Sequence, residues 1–117
     1  MLNYRLEQKA ALTFAALADP SRRGMVQRLA QGPASVSELA QLSAASLPAV
    51  MQHLQVLEES RLVRSAKKGR VRTYWLESTA FDAAASWITE QRMHWEMQAD
   101  RLGDYLKELQ KKERDNG

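Results

Sequence analysis

The stretch SLPAVMQHLQVLEESRLV, residues 46–63, decides the fold because it permits one rotation of one helix. Val50, Leu54 and Leu57 follow one another at i, i+4 and i+7, the spacing of a buried stripe on an α-helix. Ser46 stands where a side-chain oxygen can accept from the free amides of the first turn. Pro48 is tolerated in that turn, whose N–H groups have no intrahelical partner. With side chains about 100° apart around the axis, burying the aliphatic stripe sends Pro48, Met51, Gln52 and Gln55 to the opposite side. That side is sparse in charge, which suits a face that discriminates between neighbouring chemical groups better than one that is merely solvated.

Upstream, Ser37 precedes a short helix, Glu38 to Leu42, with Leu39 and Leu42 read as inward, and Ser43-Ala44-Ala45 supplies a tight turn. Residues 37–60 therefore compose a helix-turn-helix, whose second helix is suited to a DNA major groove. Asp19-Pro20 starts an earlier helix, the aspartate as cap and the proline in the first turn. Its stripe is Met25, Val26, Leu29 and Ala30, and Gly32-Pro33 ends it. A first helix, residues 6–18, places Ala10, Phe14, Leu17 and Ala18 at helical spacing.

Downstream of Ser60 the period changes. Leu62–Ser65 and Val71–Leu76 are rich in β-formers, and Lys67-Lys68-Gly69-Arg70 joins them, with Gly69 able to take the positive φ of a tight turn. This hairpin, residues 61–77, is a wing. Arg61, Arg64, Lys67, Lys68, Arg70 and Arg72 fall in twelve residues without one acid, a composition that neutralises phosphates. From about Ala80 the helical pattern returns, with Phe81, Ile88, Trp95, Leu102 and Leu109 every seven residues. Ala84, Gln91, Gln98 and Tyr105 make a weak second seam, so this helix is expected to pack on something rather than form a free-standing coiled coil.

The fold class is thus mainly α with a small β-hairpin, a winged helix-turn-helix in a single domain over residues 1–117. Composition agrees: 117 residues make one modest core, and 44% hydrophobic with 26% charged residues is ordinary globular usage. There is no cysteine, which excludes disulfides, thiolate metal sites and a cysteine nucleophile. The N-terminal residues carry scattered charges and no continuous apolar core, so they do not read as a signal peptide; a cytoplasmic location without membrane attachment is expected. The net charge of +3 says little by itself; its concentration in the wing says more.

The runs ALADPSRRGMVQRLA, SVSELA, SLPAVMQHLQVLEESRLV and KKGRVRTYWL, in this order, resemble the ArsR family of winged-helix transcriptional regulators over roughly residues 6 to 110. The tail WITEQRMHWEMQADRLGDYLKEL is similar to the subgroup that ends in a long aromatic-containing helix. The resemblance implies a homodimer built on the first and last helices, residues 6–18 and 80–110, with Leu6, Phe14, Leu17, Phe81, Ile88, Trp95, Leu102 and Leu109 at the interface. It also implies base contacts from Ser46, Leu47, Pro48, Met51 and Gln52, the side that helix rotation exposes.

Departures from the family pattern matter as much. Metal-sensing members carry a cysteine pair where this chain has Ser35-Val36-Ser37, and the two histidines, His53 and His94, make no set of three or four ligands. No metal and no cofactor is expected. Met51 replaces a small hydroxyl residue and offers an apolar tip to a thymine methyl, and Gly24 stands where a larger residue is common. His53, at the edge of the core stripe, reads as packed, hydrogen-bonded or touching phosphate, and Gln55 as solvent-facing or in contact with DNA. Lys67, Lys68, Arg70 and Arg72 read as phosphate contacts against the plainer reading of a solvated hairpin tip. Arg22 and Arg23 are read as stabilising their helix more than touching phosphate. Trp87, Met93, Trp95 and Met97 leave an apolar effector site as the alternative to packing. The leading function is a homodimeric repressor on double-stranded DNA, with an effector-responsive sensor or a protein-interaction module as alternatives. No nucleophile with a matched base and no phosphate-binding glycine loop points to an enzyme.

Overall fold

The computed structural model describes residues 2–116, with side chains from Tyr4 onward. Its elements are α1 (Leu2–Leu17), α2 (Pro20–Leu29), β1 (Ala34–Ser35), α3 (Val36–Gln41), α4 (Leu47–Glu59), β2 (Val63–Lys68), β3 (Val71–Leu76) and α5 (Asp82–Asn116). Two compact units divide the chain, Met1–Ala85 and Ser86–Gly117, with the boundary inside α5.

The core of the first unit is the one the helical stripes require. Val50, Leu54 and Leu57 of α4 are fully buried with Leu62, and Met25, Val26, Leu29, Leu39, Val63 and Tyr74 join the same cluster. Asp19 caps α2 by accepting from the Ser21 N–H at 2.8 Å and the Arg22 N–H at 3.3 Å. Partial desolvation would raise the pKa of its carboxyl, but these two amides, with His53 and Arg22 nearby, hold it below the ordinary aspartate value. Its contribution to stability is present at neutral pH and is lost as acid protonates the carboxyl through that lowered value.

Several expected details shift. The buried face of α1 is Ala10, Thr13 and Ala16, whereas Phe14 and Ala18 are exposed and Leu17 is half-buried against the core. Small side chains let α1 approach closely, and the Thr13 hydroxyl is satisfied by the Lys9 carbonyl at 3.2 Å. Ala30 and Leu42, read as inward, are C-cap residues; both are exposed, Leu42 at 68%, because their helices end one residue earlier. α3 begins at Val36 rather than Glu38, and its cap is Ser35. Ser35 Oγ accepts from the Glu38 N–H at 3.2 Å and donates to Glu38 Oε1 at 3.2 Å, a variant of the capping box. Arg28 then ties α2 to this cap, donating to Glu38 Oε2 at 3.2 Å and to the Gly32 carbonyl at 3.0 Å.

The sheet has three antiparallel strands in the order β1-β3-β2, so the hairpin is joined by a strand of two residues. Ala34 pairs with Tyr74 and Ser35 with Thr73. In the hairpin Ser65 pairs with Tyr74 and Lys67 with Arg72, and Lys68 pairs with Val71 across a Gly69-Arg70 turn with φ 63° at the glycine. Entry to β2 is set by the end of α4. The Arg61 N–H donates to the Glu58 carbonyl and the Leu62 N–H to the Leu57 carbonyl, both at 3.0 Å, the two bonds of a Schellman motif. Arg61 occupies its left-handed position at φ 61°, where glycine is the usual residue. Replacing Arg61 with glycine is therefore expected to stabilise the fold by about 0.5–1 kcal/mol, the left-handed penalty less the extra chain entropy of glycine. A urea titration reads it as a higher midpoint at unchanged slope; an unchanged or lower midpoint would contradict the assignment.

α5 is 35 residues long, about 52 Å. Its first turns bury Ala84, and none of the described residues from 86 to 116 is buried. Among the described residues no helix is long and apolar enough to cross a membrane.

Candidate nucleic-acid interface

The rotation of α4 follows from its buried stripe, and the outer side carries the residues expected there. Leu47, Pro48, Met51, Gln52 and Gln55 are exposed. Ser46 sits at the N-cap, its Oγ accepting from the Ala49 N–H at 3.4 Å, which leaves its own O–H free to donate. Gln55 donates through Nε2 to Glu59 Oε1 at 3.1 Å, so its amide is oriented with the carbonyl left to accept.

His53 lies differently. It is half-buried, and its Nδ1 is 3.4 Å from Arg22 Nη1. Arg22 donates to the carbonyls of Ala16 at 2.6 Å and Ala15 at 3.2 Å, and Arg23 to those of Leu17 at 2.8 Å and Ala18 at 3.1 Å. The two guanidiniums thus satisfy carbonyls at the C-terminal end of α1, where the helix dipole favours positive charge. Both arginines brace the end of α1 against α2, and His53 belongs to that junction.

The hairpin register sorts the wing cations. Paired residues of an antiparallel ladder share a face, so Ser65 and Lys67 lie with Arg72 and Tyr74 on one side, and Arg64 and Lys68 with Val71 and Trp75 on the other. Arg70 is in the turn. Arg72 and Tyr74 line a groove with Pro48, Met51, Gln52, Gln55 and Glu58. The structure therefore brings four of the predicted helix residues together with one of the four predicted wing residues. Lys67 shares Arg72's face, whereas Lys68 points to the opposite one.

Sequence reading missed the acids. The window 61–72 contains none, yet the fold sets Glu77 beside Arg64 at 3.5 Å and Glu58 beside the wing. Ser65 Oγ donates to Glu58 Oε1 at 2.6 Å and accepts from Arg72 Nη1 at 2.9 Å. Burial, with the Glu58 charge adding to it, raises the Tyr74 phenol above its ordinary pKa against the opposing pull of Arg72 and Ser65, so Tyr74 stays a neutral hydroxyl. Only the strand register discloses Ser65 and Tyr74, and no local sequence signal marks them. Lys67, Lys68 and Arg70 make no ion pair or side-chain hydrogen bond among the described residues. Among those residues no three of His, Asp and Glu converge to hold a metal ion.

The candidate interface residues of the first and last helices lie mostly at the surface. Leu6, Phe14, Phe81, Ile88, Trp95, Leu102 and Leu109 are exposed, and Leu17 is shared with the core.

Residues 17–66 match the helix-turn-helix domain family. The chain is 46% identical over 83 residues to the HTH-type transcriptional regulator Rv2034 of Mycobacterium tuberculosis, covering 71% of this chain and 75% of the relative. It is 27% identical over 75 residues to the transcriptional repressor SdpR of Bacillus subtilis, covering 64% of this chain and 83% of that one. A crystal structure of an ArsR family transcriptional regulator superposes with a TM-score of 0.73 at 44% identity, over 77% of this chain and 93% of the other.

Proposed function

Because the chain belongs to the ArsR family of winged helix-turn-helix transcriptional regulators, a DNA-binding regulator and not an enzyme, we propose that it is a cytoplasmic repressor. In this reading it grips a palindromic operator as a homodimer. The observation that carries it is the groove in which the neutral outer face of α4 and Arg72 of the wing stand side by side. Base edges are distinguished by short polar and apolar groups, which α4 offers, and phosphates are held by cations, which the wing offers. Ser46, Leu47, Pro48, Met51 and Gln52 lie along the first turns of α4, the part that enters a major groove first. Gln52 carries the amide able to pair bidentately with adenine, and Met51 and Leu47 offer apolar surface to thymine methyls. Gln55 lies one turn deeper, and His53 supports α4 from behind. Lys67, Lys68 and Arg70 are free to meet phosphates. Two copies related by a two-fold axis read half-sites about 34 Å apart.

The test is to select bound sequences from a random pool of duplexes, then measure the recovered site by fluorescence anisotropy. An inverted repeat and a steep fall of affinity with salt are expected. Gln52→Ala should relax preference at one base pair of each half-site by about 1–3 kcal/mol, roughly tenfold or more, and leave the other positions alone. A selection that enriches no sequence, or affinity indifferent to salt, refutes the reading.

A further inference from the structure

One group in the groove differs from every other cation of the wing. Arg64 is paired directly with Glu77 on the far face, and Lys67, Lys68 and Arg70 have no side-chain partner among the described residues. Arg72 alone is held without being neutralised by contact: its partner is the Ser65 hydroxyl, and the Glu58 carboxylate lies behind that hydroxyl. Three elements meet here, the last turn of α4 through Glu58, β2 through Ser65 and β3 through Arg72.

The chemistry fixes the direction of the relay. A hydroxyl has one hydrogen, and at 2.6 Å it is committed to the Glu58 carboxylate, a short charge-assisted bond. The Ser65 oxygen can then only accept, and it accepts from Arg72 Nη1 at 2.9 Å. Each bond polarises the next. Arg72 spends one of its five N–H donors on the serine and keeps the rest for a ligand. An arginine already held in one rotamer loses less freedom on binding than one that must be ordered then. Tyr74, neutral beside the relay, adds no competing charge.

We propose that Ser65 and Glu58 are positioning residues for DNA recognition: their relay holds the Arg72 guanidinium in the groove beside Gln52 and Gln55, so that α4 and the wing meet the operator as one preset surface. The inference rests on the DNA-reading function of this groove. Arg72 is thereby the preset cation of the groove, in contrast to Lys67, Lys68 and Arg70, which have no side-chain partner among the described residues.

Ser65→Thr and Ser65→Val differ only by the hydroxyl and both suit a strand, so they separate the relay from folding. Anisotropy is measured on the selected operator and on a scrambled duplex of equal length. Ser65→Val should bind the operator about tenfold more weakly with its salt slope unchanged, because no cation is lost, and should bind the scrambled duplex as the unmutated protein does. Ser65→Thr should restore operator affinity. Arg72→Ala should flatten the salt slope by about one for each phosphate contact it loses, and its effect on the operator should be strongly non-additive with Ser65→Val. Equal operator affinity for the Val and Thr variants, equal losses on both duplexes, or additive effects of Ser65→Val and Arg72→Ala would each overturn the proposal. If the unmutated protein shows no salt-dependent binding to any duplex, the DNA reading itself fails and the relay falls with it.

Discussion

Leu54→Ala is expected to cost the fold about 2–5 kcal/mol, against a total of about 5–15 kcal/mol for a domain of this kind. Leu54 is fully buried at the centre of the α4 stripe, between Val50 and Leu57, in the cluster that also holds Met25, Leu39 and Leu62. That cluster draws on α1, α2, α3, β2 and β3 besides α4, so the void cannot be closed by moving one of them. The consequence reaches function because the same stripe sets which side of α4 faces outward. Urea denaturation followed by circular dichroism reads the loss, and operator binding should decline with the folded fraction. Met51→Ala on the outer side is the control, expected within about 0.5 kcal/mol of the unmutated protein. If the two variants were equally stable, α4 would not be rotated as described.

The legibility of this fold follows the same stripe. Three aliphatic residues at fixed spacing oriented α4, and no other rotation buries them, so Pro48, Met51, Gln52 and Gln55 were placed correctly from sequence. The caps Asp19 and Ser46 were equally plain because capping is local chemistry. Errors came where size or distance decided. Thr13 and Ala16 carry little apolar signal, yet the closest packing of α1 uses these small residues together with Ala10. Leu42 and Ala30 keep the apolar period past the point where their helices stop, and periodicity carries no stop signal. The strand Ala34–Ser35 exists only through its pairing with Tyr74 and Thr73, about forty residues away in sequence. Glu58 of α4 accepts from Ser65, which the hairpin puts on the same face as Arg72, so an acid-free window of sequence became a wing with acids beside it. Tertiary pairing, invisible to any local pattern, built the groove's charge balance.

The largest effect on binding is expected from the far end of the chain. Ile88, Trp95, Leu102 and Leu109 recur every seven residues along α5, in line with Phe81 just before it in sequence, and all five are exposed, Trp95 at 67%. In its distal half Ala99 and Leu106 fall four residues after Trp95 and Leu102, so Trp95, Ala99, Leu102, Leu106 and Leu109 alternate in steps of four and three. That is the seam of a knobs-into-holes pair, better formed than the line through Gln91, Gln98 and Tyr105. A long helix draws most of its stability from packing, and an apolar stripe of this length is the mark of a surface that meets a partner. In the homodimer proposed above, that partner is a second copy. Leu102→Glu combined with Leu109→Glu sets four carboxylates into such a seam, two from each copy, where they repel and lose their water. The double variant is expected to sediment as a monomer while the circular dichroism of the winged helix persists. Its affinity for the palindromic operator should fall by about 10²-fold or more, since two half-sites are no longer held by one linked pair. Affinity for an isolated half-site should barely change. A variant that still sediments as a dimer, or that keeps full operator affinity as a monomer, would remove α5 from the interface and the two-fold operator from the reading.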